Sequence, residues 1–407
     1  MDHPTRPVRR LARRVVAGLT VAVVVVVGLS ACTDDPEPVA VGEGPAPTAD
    51  ACSPDELPDP VPTPSDAAAD DGAADDGPAD DGSADAADAG TTVTLVTHDS
   101  FATSDGIFDT FTDETGISVD VVSAGDAGAM VSQSILTAGD PVADVMFGID
   151  TTFLCRGERA GLFVPYRPAG LDAVADDVQQ QVDDLATPID VGDVCLNYSK
   201  AVYPTAADAP RSLAELTDPR FRDAFVTENP ETSSPGLAFL LATIAEFGED
   251  GWEDWWADLR DNGVEVTSGW SEAYDDSFGA GSGDRSIVTS YATSPVADVL
   301  YSDPARDEPA IGVVPDACFR QVEYAGVLRG TEHPEAAARL VDFLLSTTFQ
   351  EDVPLTMFVA PVNPDARVPE VFSANTAAVE HPLTLSPAEI EAGRDAWTDR
   401  WTEIVLR

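Results

Sequence analysis

The sequence predicts an α/β protein of two lobes with a ligand cleft between them. Strands and amphipathic helices alternate from Thr92 onward, the arrangement that yields a parallel or mostly parallel sheet covered on both faces. The body beyond residue 91 holds about 300 residues, more than one hydrophobic core comfortably serves, so two lobes are expected. Hydrophobic residues make up 43% of the chain, enough to build those cores, while a formal net charge of -51 leaves a strongly acidic surface.

Taken in order, VTLVTHDSF reads as a strand emptying into a polar loop, and GIFDTFTDETG as a short amphipathic helix stopped by Gly116. ISVDVVSAG is a strand, AGAMVSQSILTAG a helix and ADVMFGID a third strand, giving βαβαβ. Ligand loops in such sheets follow the C-terminal strand ends, which makes His98, Asp99, Ser100 and Asp150 candidate contacts. Further on, ENPETSSPGLAFLLATIAEFG gathers Thr232, Ser233 and Ser234 before Pro235, where hydroxyls and free N–H groups meet at a helix start; ordinary N-capping would also account for them. GWEDWWADLRDNG, near 251–263, and HPEAAARLVDFLLSTTFQEDV, near 333–353, read as amphipathic helices with core tryptophans in the first. The C-terminal SPAEIEAGRDAWTDRWTEIVLR carries a capping box, Ser386 with Glu389, and places Ile390, Trp397, Trp401, Ile404 and Val405 on one core-facing side.

The first 32 residues separate from this body. RPVRRLARR is a cationic region, VVAGLTVAVVVVVGL an apolar run, and LSAC resembles a lipobox, so residues 1–31 read as a lipoprotein signal peptide with Cys32 as the lipidated residue. An uncleaved membrane anchor is the alternative, and either leaves the body outside the membrane. Residues 32–91, rich in Asp, Ala, Gly and Pro, read as an acidic disordered tether. Its DDG repeats fit no EF-hand loop. Of the remaining cysteines, Cys195 and Cys318 are expected to pair, since both lie beside probable strands that cross between lobes; Cys52, in the tether, is free to stay unpaired.

An acidic surface without a basic stripe argues against nucleic acid. The four histidines, His3, His98, His333 and His381, are scattered, and HExxH, GxSxG and P-loop motifs are missing, so neither an enzyme nor a metal or cofactor site is expected. His98, Asp99 and Ser100 are adjacent along the chain, where they cannot form a catalytic relay. What remains is aromatic and polar. Trp270 in GWSEAY and Tyr291 in SYATSP offer flat electron-rich faces, and Glu272 or Asp99 a carboxylate, which together suit a flat cationic ligand.

VTHDSF, ADVMFGIDTTFL, GLFVPY, TSSPGLAFLL, SGWSEAY, SYATSP, RQVEYAG and a C-terminal PVN, in that order over about 92–407, resemble the thiamine-binding receptors of bacterial ABC importers. These have a periplasmic-binding-protein-like (type II) fold. The resemblance implies a monomer that encloses thiamine or a thiamine phosphate, delivers it to a membrane permease and is held by a lipid anchor on the outer face of the cytoplasmic membrane. It carries candidate roles onto His98, Asp99, Ser100, Thr232, Ser233, Ser234, Trp270, Glu272, Tyr291, Ser294 and Phe358. Three departures matter: His98 stands where Tyr is usual, Ala297 where an aromatic is frequent, and Glu231 where an Arg often precedes the Ser/Thr loop. The last favours free thiamine over its phosphates. Residues 92–191 and 316–407 are expected to form the first lobe and 192–315 the second, with hinges near Asp190 to Gly192 and near Pro315. Rival readings are a ferric-ion or other organic-cation receptor of the same fold, a hydrolase using Ser233 or Ser234, and a structural surface lipoprotein.

Overall fold

The computed structural model describes residues 51–62 and 90–407; the signal segment and Cys32 lie outside the described residues. The expected βαβαβ unit forms as β1 (Thr92–Thr97), α1 (Ile107–Thr115), β2 (Ser118–Ser123), α2 (Ala127–Leu136) and β3 (Val145–Asp150). Gly116 ends α1 in the left-handed conformation, φ 75°, which an L side chain rarely adopts. Strand β3 is buried along its whole length, whereas β2 is largely exposed at the sheet edge.

After α3 (Leu154–Arg159) the chain enters β4 (Thr187–Ser199). Next come β5 (Phe225–Glu228), α4 (Ser234–Phe247), α5 (Trp252–Asp261), β6 (Glu265–Thr267), β7 (Ile287–Tyr291) and α6 (Ser294–Tyr301). The chain returns along β8 (Ile311–Val327). The strand order is β2-β1-β3-β8-β4-β7-β5-β6. Pairing is parallel within β2-β1-β3 and within β7-β5-β6, and antiparallel where β8 and β4 join them. Two parallel three-stranded units are thus stitched together by two strands of 13 and 17 residues, far longer than a typical strand. These strands pass from one lobe into the other.

The region expected as one helix near 333–353 is broken into α7 (Pro334–Leu345), α8 (Thr347–Gln350) and α9 (Val353–Thr356). Ser346 leaves the helical conformation and its hydroxyl accepts from Phe349 N, restarting the chain as α8. After β9 (Ala360–Pro361), which pairs with β4, and α10 (Glu370–Asn375), the chain ends in α11 (Pro387–Val405) with both halves of its capping box formed. Along α11, Arg159 pairs with Glu391 near its start, and further along Trp401 meets Trp256 edge-on at 5.4 Å while Arg260 donates to Ile404 O. Trp252, Trp256 and Trp401 are all fully buried, so the bulk of this ring cluster sets where the helix ends.

The cysteines form two disulfides, Cys195–Cys318 and Cys52–Cys155. The first lies where the β4–β8 register breaks between Val194 and Leu196, so the extra residues of β8 bring Cys318 opposite Cys195. The second corrects the expectation that Cys52 stays unpaired and that all of 32–91 is tether. Residues 51–62 lie on the body: Cys52 and Val61 are buried, Val61 N donates to Pro165 O and Ser53 Oγ donates to Asp183. An apolar valine and a cysteine give this short stretch what the Asp/Ala repeats lack, surface to bury and a covalent anchor. Among the described residues no helix is long and apolar enough to cross a membrane.

Candidate binding cleft

A cavity of about 200 Å³ opens beside the strands that connect the lobes. One wall is charged. His98 follows β1, Asp126 caps α2, and Glu323 lies on β8. His98 Nε2 is 3.4 Å from a Glu323 carboxylate oxygen, and the imidazole ring lies over Gly148, where an added Cβ would stand 2.2 Å from His98 Cδ2. Burial, the largest single influence, would lower the imidazole's pKa; the Glu323 charge and hydrogen bond, with the charges of Asp126 and Asp99, together outweigh it and hold His98 above its usual range. Burial likewise pushes Glu323 up, but the imidazolium and a hydrogen bond from Asp190 bring it below the usual carboxylate range. Asp190, fully buried, is held far above its ordinary value by burial and then by the Glu323 charge, so it carries the proton of the pair.

Register puts these acids in a row. Asp150 on β3 pairs with Glu323 on β8, and Glu323 with Asp190 on β4. Asp150 accepts from Thr152 N and Oγ1 and from Ser234 Oγ at 2.8 Å; burial nevertheless raises it to about 7. Glu228, at the end of β5, is also fully buried and raised by that burial.

The facing wall is aromatic. Residues Glu272–Ser277 form a π-helical turn, and Trp270 stacks on Tyr274 with centroids 4.8 Å apart and planes 13° apart. Trp270 Nε1 donates to Ser290 Oγ at 3.0 Å, and Ser290 Oγ lies 2.8 Å from Ser294 Oγ, so the indole is fixed in position before any ligand arrives. Tyr291 closes this side, its phenol held well above its usual pKa by burial. Met357, Phe358 and Val359 complete the rim; Phe358 has φ 58°, a conformation rare for a bulky residue. Thr293 Oγ1, also on the cavity, has no partner among the described residues. Among the described residues no lysine or arginine lines the cavity.

Of the sequence-expected residues, His98, Ser100, Ser234, Trp270, Tyr291, Ser294 and Phe358 come together on this cavity. Asp150 stands behind it, reaching it through Ser234. Asp99 is exposed and turned away, with its backbone N–H bound to Gly125 O. Thr232 donates to Ser268 O, and Ser233 is fully buried. Glu272 is corrected outright: its carboxylate accepts from Ser268 N and Oγ on the exposed side of the turn, which lowers its pKa, and it does not face the cavity. Glu231 accepts from Thr402 Oγ1 on the outer surface. Asp126, Tyr274 and Glu323 were not among the candidates. Two of them carried readable signals, a Gly-Asp step ahead of a helix for Asp126 and a lone acid within the otherwise apolar VEYAGVL strand for Glu323.

Among the described residues no group of three or more His, Cys, Asp or Glu is disposed to hold a metal ion. What the cavity offers is a flat aromatic face opposite fixed negative charge, an arrangement for a planar cation bearing N–H donors.

Residues 140–379, more than half of the chain, match the family described as bacterial extracellular solute-binding protein. The chain is similar to the thiamine-binding periplasmic protein of Escherichia coli, 29% identical over 77% of this chain and 94% of that one. It is 28% identical to that of Brucella suis over 79% of this chain and 94% of its relative. A solved periplasmic thiamin binding protein superposes with a TM-score of 0.69 at 27% identity, covering 78% of this chain and 96% of the other. The ferric binding protein from Campylobacter jejuni shares the fold at a TM-score of 0.65 and 15% identity, covering 77% and 99%.

Proposed function

Because the chain belongs to the bacterial extracellular solute-binding proteins, we propose that its cleft captures thiamine and hands it to an ABC transporter permease, the body being held at the membrane through lipid on Cys32. The observation that supports this most is the pairing of the stacked Trp270–Tyr274 face with the Glu323 and Asp126 carboxylates across one cavity. Thiamine supplies both partners, a flat aminopyrimidine with N–H donors and a cationic thiazolium ring. The unphosphorylated form is favoured, since a phosphate would enter a cavity lined by carboxylates and, among the described residues, by no lysine or arginine.

With residues 92–191 and 316–407 as one lobe and 192–315 as the other, three contacts support a reading in which the lobes are drawn together. Ser234 Oγ reaches Asp150, Ala129 N donates to Thr232 O at 3.3 Å, and Tyr301 meets Phe358 edge-on at 5.8 Å. Capture is then lobe closure around the ligand, with the ligand binding the closed form better than the open one. We place the hinge at Asp190–Gly192 on β4 and Gln321–Glu323 on β8 in place of Pro315, because the register sets Gly192 opposite Gln321 and leaves Pro315 further along the strand. No covalent step is involved.

The test is a calorimetric titration of the full chain with thiamine, thiamine monophosphate and thiamine diphosphate. One-to-one binding of thiamine, tighter than that of either phosphate, is the expected result. No heat with any of the three, together with a visible absorption band on adding ferric iron, would transfer the site to the iron-binding branch of the fold.

A further inference from the structure

We propose that Asp126 is the residue that sets selectivity against anionic ligands, by occupying from the opposite side of the cleft the backbone donors on which an anion would otherwise sit. The inference rests on the thiamine reading only for the choice of ligand pair. TSSPG before α4 has the composition of an anion-holding loop, hydroxyls at the positive end of a 14-residue helix. In the folded chain that capacity is already used. Asp126 Oδ1 accepts from Ser234 N at 3.2 Å as well as from Ala127 N at 2.7 Å in its own helix, and Oδ2 accepts from Trp270 N at 3.1 Å.

Two neighbouring backbone donors are spoken for as well, while the buried Ser233 Oγ has no partner among the described residues. Thr232 N and Ser233 N both donate to Asn229 O, and Pro235 has no N–H. The close approach of Asp126 to Trp270 N depends on Gly269, where an added Cβ would stand 2.9 Å from the Asp126 carboxylate. Asp126 lines the cavity, so a phosphate brought to this end would meet a carboxylate in place of free N–H groups. Three hydrogen bonds hold that carboxylate where it is, and among the described residues an incoming anion meets no lysine or arginine on the cavity to offset the repulsion.

The experiment compares the full chain with Asp126→Ser and Asp126→Asn by titration with thiamine, thiamine monophosphate and inorganic phosphate alone. Serine keeps the N-cap of α2 while removing the charge and the reach to Ser234 N and Trp270 N; asparagine keeps the shape but removes the charge and one of the two acceptor oxygens. The parent chain should bind thiamine at least about tenfold more tightly than the monophosphate. In Asp126→Ser the ratio should fall about tenfold, the size of one charge-assisted hydrogen bond, chiefly through a gain for the monophosphate. Inorganic phosphate should bind Asp126→Ser and not the parent. Asp126→Asn should lie between them. A ratio unchanged within twofold in either variant overturns the assignment, as does inorganic phosphate binding the parent as tightly as Asp126→Ser. The phosphate arm does not involve thiamine, so it decides the role of Asp126 even where the parent chain binds no form of thiamine and the ligand assignment itself fails.

Discussion

The two walls of the cleft are built by different means. The aromatic wall is local in sequence: Trp270 and Tyr274 are four residues apart on one turn, and Ser290, Tyr291 and Ser294 come from the next strand and helix start. The charged wall is assembled from distant parts of the chain, in large part by strand register. His98, Asp126, Asp150, Asp190 and Glu323 come from five separate places, and only the pairing of β3, β8 and β4 brings three of them level. A packed ring holds its place through neighbours on the same segment, whereas a buried acid must be balanced by groups that the whole fold delivers. The second wall should therefore be the more fragile and the more consequential.

Glu323→Gln tests this most severely. Glutamine keeps the length and can still accept from Asp190, but it removes the charge that holds His98 and faces the ligand. Thiamine affinity should fall about 100-fold, the scale of stripping one partner from a desolvated charge pair. His98, left with burial as the dominant influence, should then titrate below its ordinary value, which NMR of the imidazole protons would follow. Affinity within threefold of the parent would reduce the charged wall to scaffolding.

Trp270→Ala addresses the other wall. It removes the stacking face and the indole bond to Ser290 Oγ while leaving Tyr274 in the turn, and it should weaken thiamine by about tenfold, measured by calorimetry. Trp270→Phe should recover part of that. If Trp270→Ala proved costlier than Glu323→Gln, the ranking of the walls would be inverted and the site would be better described as an aromatic cage.

The same contrast explains what was legible in the sequence. Strand and helix alternation, the two-lobed α/β class, the α11 capping box and the GWSEAY and SYATSP pair are carried by residues within a few positions of one another, and each could be read from composition and period. Glu272 was misjudged because spacing gives no orientation: one position in a π-helical turn decides whether a carboxylate faces the cavity or caps Ser268. Asp126 and Glu323 were missed because their meaning depends on partners about 100 or more residues away, Ser234 and Trp270 for one, His98 and Asp190 for the other. Cys52 was misjudged for a related reason. The acidic stretch around it reads as tether, and nothing local reveals that Cys155 and Pro165 lie within reach.

The smallest effect concerns the acids behind the charged wall, and it has a definite sign. Burial raises Asp150 from 3.8 to about 7, and Glu158, fully buried within α3, from 4.5 to about 8. Between the unfolded and folded values the native state keeps a proton that the unfolded chain has released, so stability is full at low pH and falls as pH rises through this window. His98, raised above 6.5, adds to the fall at its upper end, while Glu323, lowered from 4.5, acts in the opposite sense only below that value. From pH 5 to pH 7 the contributions of Asp150, Glu158 and His98 thus share one sign, and the melting temperature should drop steadily across that range. Asparagine at position 150 carries no charge at any pH and keeps an acceptor oxygen for Ser234 Oγ, so Asp150→Asn should shallow the slope by about one proton, or about 1.4 kcal/mol per pH unit. Calorimetric melts at half-unit steps would show it. A profile that is flat or rises from pH 5 to pH 7 in the parent, or one that Asp150→Asn leaves unchanged, would mean that the Asp150–Glu323–Asp190 row is more hydrated in solution than its burial implies, and that the charged wall draws less of its strength from exclusion of water than its geometry requires.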